Sequence, residues 1–427
     1  MDMLLVNGTG PLEGRVRVDG SKNATLPLMA AALMVDGPVE LRNVPHLVDV
    51  QTMVQLLQSL GATVQQQQDR MEIDAGSASS VVADYDLVRR MRAGVCVLGP
   101  LLTRFGSARV SLPGGCNIGH RPIDVHLRGL SALGADIRLT GGYVVAEAKR
   151  LRGTDILLTG PCGSSVTGTC NVMTAAVLAH GRTVIRGAAC EPEVGALAAF
   201  LTDCGGQISG AGSPTITIDG VDQLRGSNCK IIPDRIEAAT LAIAAAISRG
   251  TVQIEDAPIN HLASVLARLR DIGVNVQTAD STLTVDARSP LKAANVSAVP
   301  YPGVPTDTQA QFMALLSTTE GTSMITDHVF PDRFMHVSEL VRMGARIQRT
   351  GSVAVIQGIS QLSGAPLMAS DLRASAALLL AAVASDGPSE LRRVYHLDRG
   401  YVRLEQKLNA LGADITRCRE PSVSARV

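Results

Sequence analysis

A thiol with the surroundings of a reactive one lies in Leu112-Pro113-Gly114-Gly115-Cys116-Asn117-Ile118-Gly119-His120-Arg121-Pro122. The glycines free the backbone, and His120 and Arg121 favour the thiolate at Cys116. Cysteines are also among the commonest small buried side chains, and both readings stand at this point. Asp307 follows Pro305-Thr306 at the start of an apolar stretch. There it could cap a helix, or it could accept a proton as a general base if that helix end meets a substrate. Arg333 in Phe330-Pro331-Asp332-Arg333-Phe334 and Arg399 in His396-Leu397-Asp398-Arg399-Gly400-Tyr401 each adjoin an acid. A surface ion pair is the plain reading of both, yet they occupy matching places in two copies of a repeat.

That repeat is the means of positioning them. Gly61, Gly134, Gly205, Gly273, Gly344 and Gly412 each end a helix-like stretch, four of them in the form Leu-Gly-Ala or Met-Gly-Ala. Their spacing of roughly 70 residues points to one supersecondary unit copied six times. One helix of each unit is amphipathic, as in 50–60, and suits a left-handed glycine cap. The other is almost wholly apolar, over 25–33, 93–102, 172–179, 238–247, 310–316 and 374–384, which predicts an interior helix. Short β-rich runs lie between them, among them 39–41, 144–145, 184–185, 252–254, 324–325 and 353–356. The expected arrangement is helices inside and sheets outside, in two halves of three units with a ligand cleft between them.

Polar residues precede each interior helix: Ser21-Lys22-Asn23, Arg89-Arg90-Met91-Arg92, Ser164-Ser165-Val166-Thr167, Pro233-Asp234-Arg235, Pro305-Thr306-Asp307 and Ser370-Asp371-Leu372-Arg373. Helix N-termini carry free amides and partial positive charge. With Lys22, Arg92 and Arg373 beside them they could form an anion site, although Ser, Thr and Asp are also ordinary caps.

Composition narrows the classes. At 427 residues and 46% apolar content the chain can bury more than one core. Aromatic residues make up 2% and Trp is absent, against stacking platforms for single-stranded nucleic acid. Basic and acidic residues balance at 39 each, so no global field favours nucleic acid or an anionic membrane. The start lacks a signal-peptide pattern and no run reaches a transmembrane length, so a cytoplasmic protein is expected. The eight cysteines form no CxxC pair, and there is no HExxH, P-loop or GxGxxG motif.

Taken in order, Gly20-Ser21-Lys22-Asn23-Ala24, the Cys116 loop, Arg121-Pro122-Ile123-Asp124-Val125-His126, Pro233-Asp234-Arg235-Ile236-Glu237, Pro305-Thr306-Asp307, Arg333-Phe334-Met335-His336, Asp371-Leu372-Arg373-Ala374-Ser375 and Asp398-Arg399-Gly400-Tyr401 span the chain. In this combination it resembles the UDP-N-acetylglucosamine 1-carboxyvinyltransferase family of enolpyruvyl transferases. The resemblance implies a two-domain inside-out α/β barrel of six βαβαββ repeats, three per domain, with an interdomain active-site cleft. The expected domains are 22–229, carrying the Cys116 lid loop, and 1–21 plus 230–427, carrying Asp307, Arg333, Arg373 and Arg399.

It further implies transfer of the enolpyruvyl group of phosphoenolpyruvate to the 3-hydroxyl of UDP-N-acetylglucosamine with release of phosphate, the first committed step of peptidoglycan synthesis. Lys22, Arg121 and Arg399 would hold the phosphate, Arg333 and Arg373 the carboxylate, with Asn23 nearby. Cys116 would donate a proton to the methylene carbon and be the thiol alkylated by fosfomycin. Asp307 would accept the sugar hydroxyl proton or assist elimination. Asn23, Arg92, Arg121, Pro122, Ile123, Asp124, Val125, Gly163, Ser164, Ser165, Val166, Asp307 and Val329 would contact the nucleotide sugar. The implied partners are these two substrates alone, with no nucleic acid, membrane insertion, cofactor or metal, and the cleft would close on ligand. Oligomeric state is not legible.

Gly163, Cys170, Cys190, Ala239 and Pro331-Asp332 depart from the family pattern. They remove no catalytic group but bear on the acceptor. The alternatives are a paralogue acting on another uridine nucleotide such as UMP, or a silent nucleotide-binding regulator. Shikimate 3-phosphate as acceptor fits the Cys116 and Arg121-Pro122 segments less well.

Overall fold

A computed structural model describes residues 1–114, 122–161 and 163–420. They form two units, one of residues 20–232 and one of 1–19 with 233–420. Each unit contains three four-stranded sheets of one plan: a strand parallel to its neighbour, followed by two antiparallel pairings.

In the 20–232 unit the sheets centre on Val39–Arg42, Ser107–Ser111 and Arg182–Arg186, each paired in parallel with a short strand and antiparallel with Arg70–Asp74, Tyr143–Glu147 or Thr215–Asp219. In the other unit Thr251–Glu255, Thr322–Asp327 and Ser389–Arg392 hold the same place. Two of these sheets need the N-terminus. Glu13–Arg17 is the parallel partner of Thr251–Glu255, and Asp2–Asn7 lies between Ser389–Arg392 and Asp414–Arg419. Alternate residues are buried along strands such as Arg70–Asp74, so each sheet covers helices with one face and meets solvent with the other.

The covered helices are the apolar ones. Every residue of Arg235–Ile247, Gln309–Ser317 and Leu372–Val383 is buried, and these three helices pack on one another. Lys22–Ala31, Leu98–Phe105 and Val166–Ala176 are their counterparts in the 20–232 unit. Helices that bury all faces have no solvent stripe to keep polar, which is why they read as uninterrupted apolar runs.

Outside them run the amphipathic helices, including Val48–Ser59, Asp124–Ala132, Pro192–Asp203 and Ala263–Ile272. Gly61, Gly134, Gly205, Gly273, Gly344 and Gly412 all follow such helices with φ between 92° and 106°. A Cβ at Gly134, Gly205, Gly344 or Gly412 would meet no atom within 4 Å, so the left-handed backbone, not crowding, requires glycine there.

One interior helix differs from its expected form. The stretch 93–102 is a 3-10 turn, Arg92–Val97, leading into the α-helix Leu98–Phe105. Pro100 lies in the first turn of that α-helix, where a missing N–H leaves no bond unmade. Among the described residues, no helix is long and apolar enough to cross a membrane, and no cluster of three or more His, Cys, Asp or Glu could hold a metal ion.

Candidate active site

In the 233–420 unit the chemistry gathers around Asp307. It lies in the 3-10 turn Thr306–Thr308 and, contrary to the capping reading, makes no cap. Its carboxylate instead takes Arg333 Nη1 on Oδ1 at 2.6 Å and Arg373 Nη2 on Oδ2 at 3.0 Å. Both arginines are buried, 4% and 1% exposed, which is rare for Arg outside an ion pair. Asp371 caps Leu372–Val383 through the amides of Arg373 and Ala374, with Arg333 Nη2 4.0 Å from its Oδ1.

Arg373 is the more telling of the two. Its Nε and Nη1 are buried without a well-formed hydrogen bond, the Tyr401 hydroxyl offering only a weak one. Buried donors left unmade are costly, so a guanidinium in this state suits an anion that supplies the missing acceptors. Burial alone would lower its pKa, but Tyr401, Asp307 and Asp234 outweigh that and raise it.

The Tyr401 ring lies 5.2 Å from the guanidinium carbon. That ring is fixed by the interior helices: its hydroxyl is 3.0 Å from Thr240 Oγ1 and accepts from Gln311 Nε2 at 3.2 Å. Gln311 Nε2 also donates to the Asp307 carbonyl at 3.0 Å, which ties the turn to the same polar knot.

His336 and His396 both feel the charge of Asp371. Burial pushes the His336 pKa down to about 4, against the pull of Asp371 and with the help of Arg333 and Arg349. His396 is lowered too, by burial and then by Arg399. The acids next in sequence to the two candidate arginines are engaged elsewhere. Asp332 pairs with Arg349 while Arg333 turns to Asp307, so the adjacent-acid reading of Arg333 gives way; Asp398, beside Arg399, pairs with Arg417.

The 20–232 unit carries the remaining described candidates. Lys22 opens the helix Lys22–Ala31, capped by Ser21, and its Nζ lies 3.2 Å from Asp49 Oδ2 with both side chains buried. Asn23 beside it is half-buried. Arg92 Nη2 donates to the Pro122 carbonyl at 3.1 Å. Pro122 and Asp124 are exposed, while Ile123 and Val125 turn inward. Val125 packs beside Gly168, where a Cβ would stand 3.2 Å from its Cγ1, so the 122–125 segment abuts the helix start capped by Ser165. Gly163 and Ser164 form a short strand just before that cap, with Val166 as the first helical residue.

A buried network holds these pieces together. Asn171 Nδ2 donates to the Val95 carbonyl at 2.9 Å and lies 3.0 Å from His126 Nδ1, and its Oδ1 accepts from the Gly99 amide at 2.6 Å. His126 Nε2 is 3.1 Å from Thr167 Oγ1. With Nδ1 accepting from the amide, Nε2 carries the proton and donates.

The structure therefore sorts the expected residues into two sets, one on each unit. Asp307, Arg333 and Arg373 are in contact, with Val329 and Arg399 in the same unit; Lys22, Asn23, Arg92, 122–125 and 163–166 belong to the other. Cys116 and Arg121 lie outside the described residues.

Sequence reasoning missed Asp49, which pairs with Lys22, and Asp327, which accepts from Thr306 Oγ1 at 2.6 Å. Asp327 did leave a signal. It falls in phase with Ser323 and Ile325 on the buried face of an alternating strand, where an acid needs partners.

Comparisons with known proteins agree in kind. The family model for EPSP synthase (3-phosphoshikimate 1-carboxyvinyltransferase) matches residues 6–408. A protein of Desulfatibacillum aliphaticivorans named UDP-N-acetylglucosamine 1-carboxyvinyltransferase is 51% identical over 98% of this chain and 100% of its own length. One of the same name from Methylacidiphilum infernorum is 49% identical over 98% and 99%. Among solved structures, the enolpyruvyl transferase NikO from Streptomyces tendae superposes with a TM-score of 0.89 at 28% identity, covering 98% of this chain and 99% of that one.

Proposed function

The chain belongs to the EPSP synthase (3-phosphoshikimate 1-carboxyvinyltransferase) family of enolpyruvyl transferases, and from that premise we propose that it transfers the enolpyruvyl group of phosphoenolpyruvate to the 3-hydroxyl of UDP-N-acetylglucosamine. The observation that carries this reading is identity of 49–51%, over nearly the whole chain, to relatives named for that reaction. The Asp307, Arg333 and Arg373 cluster supports it, because the unmade bonds of Arg373 suit an anionic substrate.

In the proposed reaction the sugar oxygen bonds to C2 of phosphoenolpyruvate while C3 takes a proton, giving a tetrahedral adduct. C3 then loses a proton and the C2–O bond to phosphate breaks, leaving an enolpyruvyl ether and inorganic phosphate with no net redox change. Asp307 takes the proton of the sugar hydroxyl or assists elimination, and Cys116 supplies the proton to C3. Arg333 and Arg373 hold the carboxylate; Lys22, Arg121 and Arg399 hold the phosphate, with Asn23 beside them. The nucleotide sugar contacts Asn23, Arg92, Arg121, 122–125, 163–166, Asp307 and Val329. In this role the protein commits material to peptidoglycan, in the cytoplasm, and fosfomycin alkylates Cys116.

The test follows phosphate release from phosphoenolpyruvate with UDP-N-acetylglucosamine and, separately, with UMP, with products identified by mass spectrometry. An enolpyruvyl adduct on the amino-sugar nucleotide that fosfomycin suppresses is the expected result. An adduct on UMP alone would make the acceptor assignment wrong, and binding without phosphate release from either would make the chain a silent regulator.

A further inference from the structure

We propose that Asp327 and Thr306 are positioning residues that set Arg333 and the Val329 turn in register with one another. The inference rests on the function proposed above and names two residues it does not include. Asp327 ends the strand Thr322–Asp327 and is fully buried, 0% exposed. One of its oxygens, Oδ1, accepts from the amides of Val329 and Phe330 at 2.9 and 2.8 Å. The other, Oδ2, accepts from the Thr306 hydroxyl at 2.6 Å.

The hydroxyl has one hydrogen, and the carboxylate takes it. Its lone pairs are then left to face Arg333 Nη1, which donates to Thr306 Oγ1 at 3.3 Å as well as to Asp307 Oδ1 at 2.6 Å. The Arg333 backbone is held by the same turn, since its amide donates to the Phe330 carbonyl at 3.0 Å. A single buried carboxylate thus orders the loop that carries Arg333 and, through one hydroxyl, the guanidinium at the end of that side chain.

Burying an acid is unfavourable, and burial does push the Asp327 carboxyl above its ordinary range, with Thr306, Phe330 and Val329 opposing. The two amides of the turn need only one of its oxygens. The second oxygen is the acceptor that forces the Thr306 hydroxyl to present its lone pairs to an arginine. Interactions made equally in ground and transition states show in KM more than in kcat, and this is the signature sought.

The experiment compares Thr306→Val, Thr306→Ser and Asp327→Asn in the full-length enzyme, reading KM for each substrate, kcat and melting temperature. Thr306→Val keeps the shape and removes the hydroxyl; it should raise KM for phosphoenolpyruvate about tenfold, the size of one charge-assisted hydrogen bond, with a smaller change in kcat. Thr306→Ser should restore it. Asp327→Asn can meet Thr306 only by donating to it, which reverses the hydroxyl, and it also weakens the Val329 turn. It should therefore raise KM for both substrates, whereas Thr306→Val should spare UDP-N-acetylglucosamine.

An unchanged phosphoenolpyruvate KM in Thr306→Val overturns the proposal. So does an equal rise in both KM values of Thr306→Val in step with a lower melting temperature, since that is what plain destabilisation would give. If wild-type protein releases no phosphate, the parent reading fails, and calorimetric titration of wild type and both Thr306 variants with phosphoenolpyruvate decides the relay separately. The same order of affinities would support it, and equal affinities or no binding would overturn it.

Discussion

Lys22 Nζ lies 3.2 Å from Asp49 Oδ2, and neither side chain is more than 8% exposed. A lysine expected to meet phosphate is therefore already held at its inner side by an acid from the helix Val48–Ser59, which fixes where its ammonium can point. Breaking a buried ion pair is costly to the folded state. Asp49→Asn should cost about 3 kcal/mol or more of stability by urea unfolding and raise KM for phosphoenolpyruvate. A variant as stable as wild type would mean that the pair is solvated in practice.

The imidazole of His336 is buried with its pKa down to about 4 from an ordinary 6.5. Between these values the unfolded chain binds more protons than the folded one, so this group's contribution is present above the ordinary value and lost as pH falls toward the lower one. Its size is at most about 3 kcal/mol. Urea unfolding across that interval should show a fall in stability that His336→Gln makes shallower. Identical slopes for the two proteins would count against it.

Two glycines separate backbone strain from packing. Neither Gly134 nor Gly195 has an atom within 4 Å of where a Cβ would stand, but Gly134 has φ 100° and Gly195 lies inside the helix Pro192–Asp203. Gly134→Ala should destabilise by about 1–2 kcal/mol. Gly195→Ala should stabilise by roughly 0.5–1 kcal/mol. Chemical denaturation of both variants gives the signs directly, and equal signs would refute the argument.

Burial pushes the Cys96 thiol up to about 12 and the Cys170 thiol well above its usual range. Thiols that stay protonated and covered do not react at neutral pH. Brief iodoacetamide treatment followed by peptide mass mapping should leave both unmodified in native protein and label both after denaturation. Native labelling of either as fast as in denaturant would contradict their burial.

Local rules explain what could be read in advance. A left-handed helix end writes itself into the sequence as glycine, and an all-round buried helix as an apolar run, so both were legible residue by residue. Strands as short as Val82–Ala83 or Thr159–Gly160 have no room for an alternating pattern and were not. The site is harder because its bonds are remote in sequence: Asp307 meets Arg373 66 positions away, and Lys22 meets Asp49 27 positions away. Spacing offered caps and neighbouring-acid pairs at Asp307 and Arg333, and tertiary contacts replaced both. The expected roles of the site residues came from resemblance to a family, which compares whole constellations where spacing sees one stretch at a time.

The plan of the sheets also orders events on the ribosome. Residues 20–232 hold every strand of their three sheets, the last being Asn228–Lys230, so that unit can close while the rest of the chain is still being made. The other unit cannot. Asp2–Asn7 leaves the exit tunnel about 380 residues before Ser389–Arg392 and Asp414–Arg419, the strands that flank it. That strand must stay unpaired until those partners are made, and any nascent-chain chaperone that protects this protein has its longest task there.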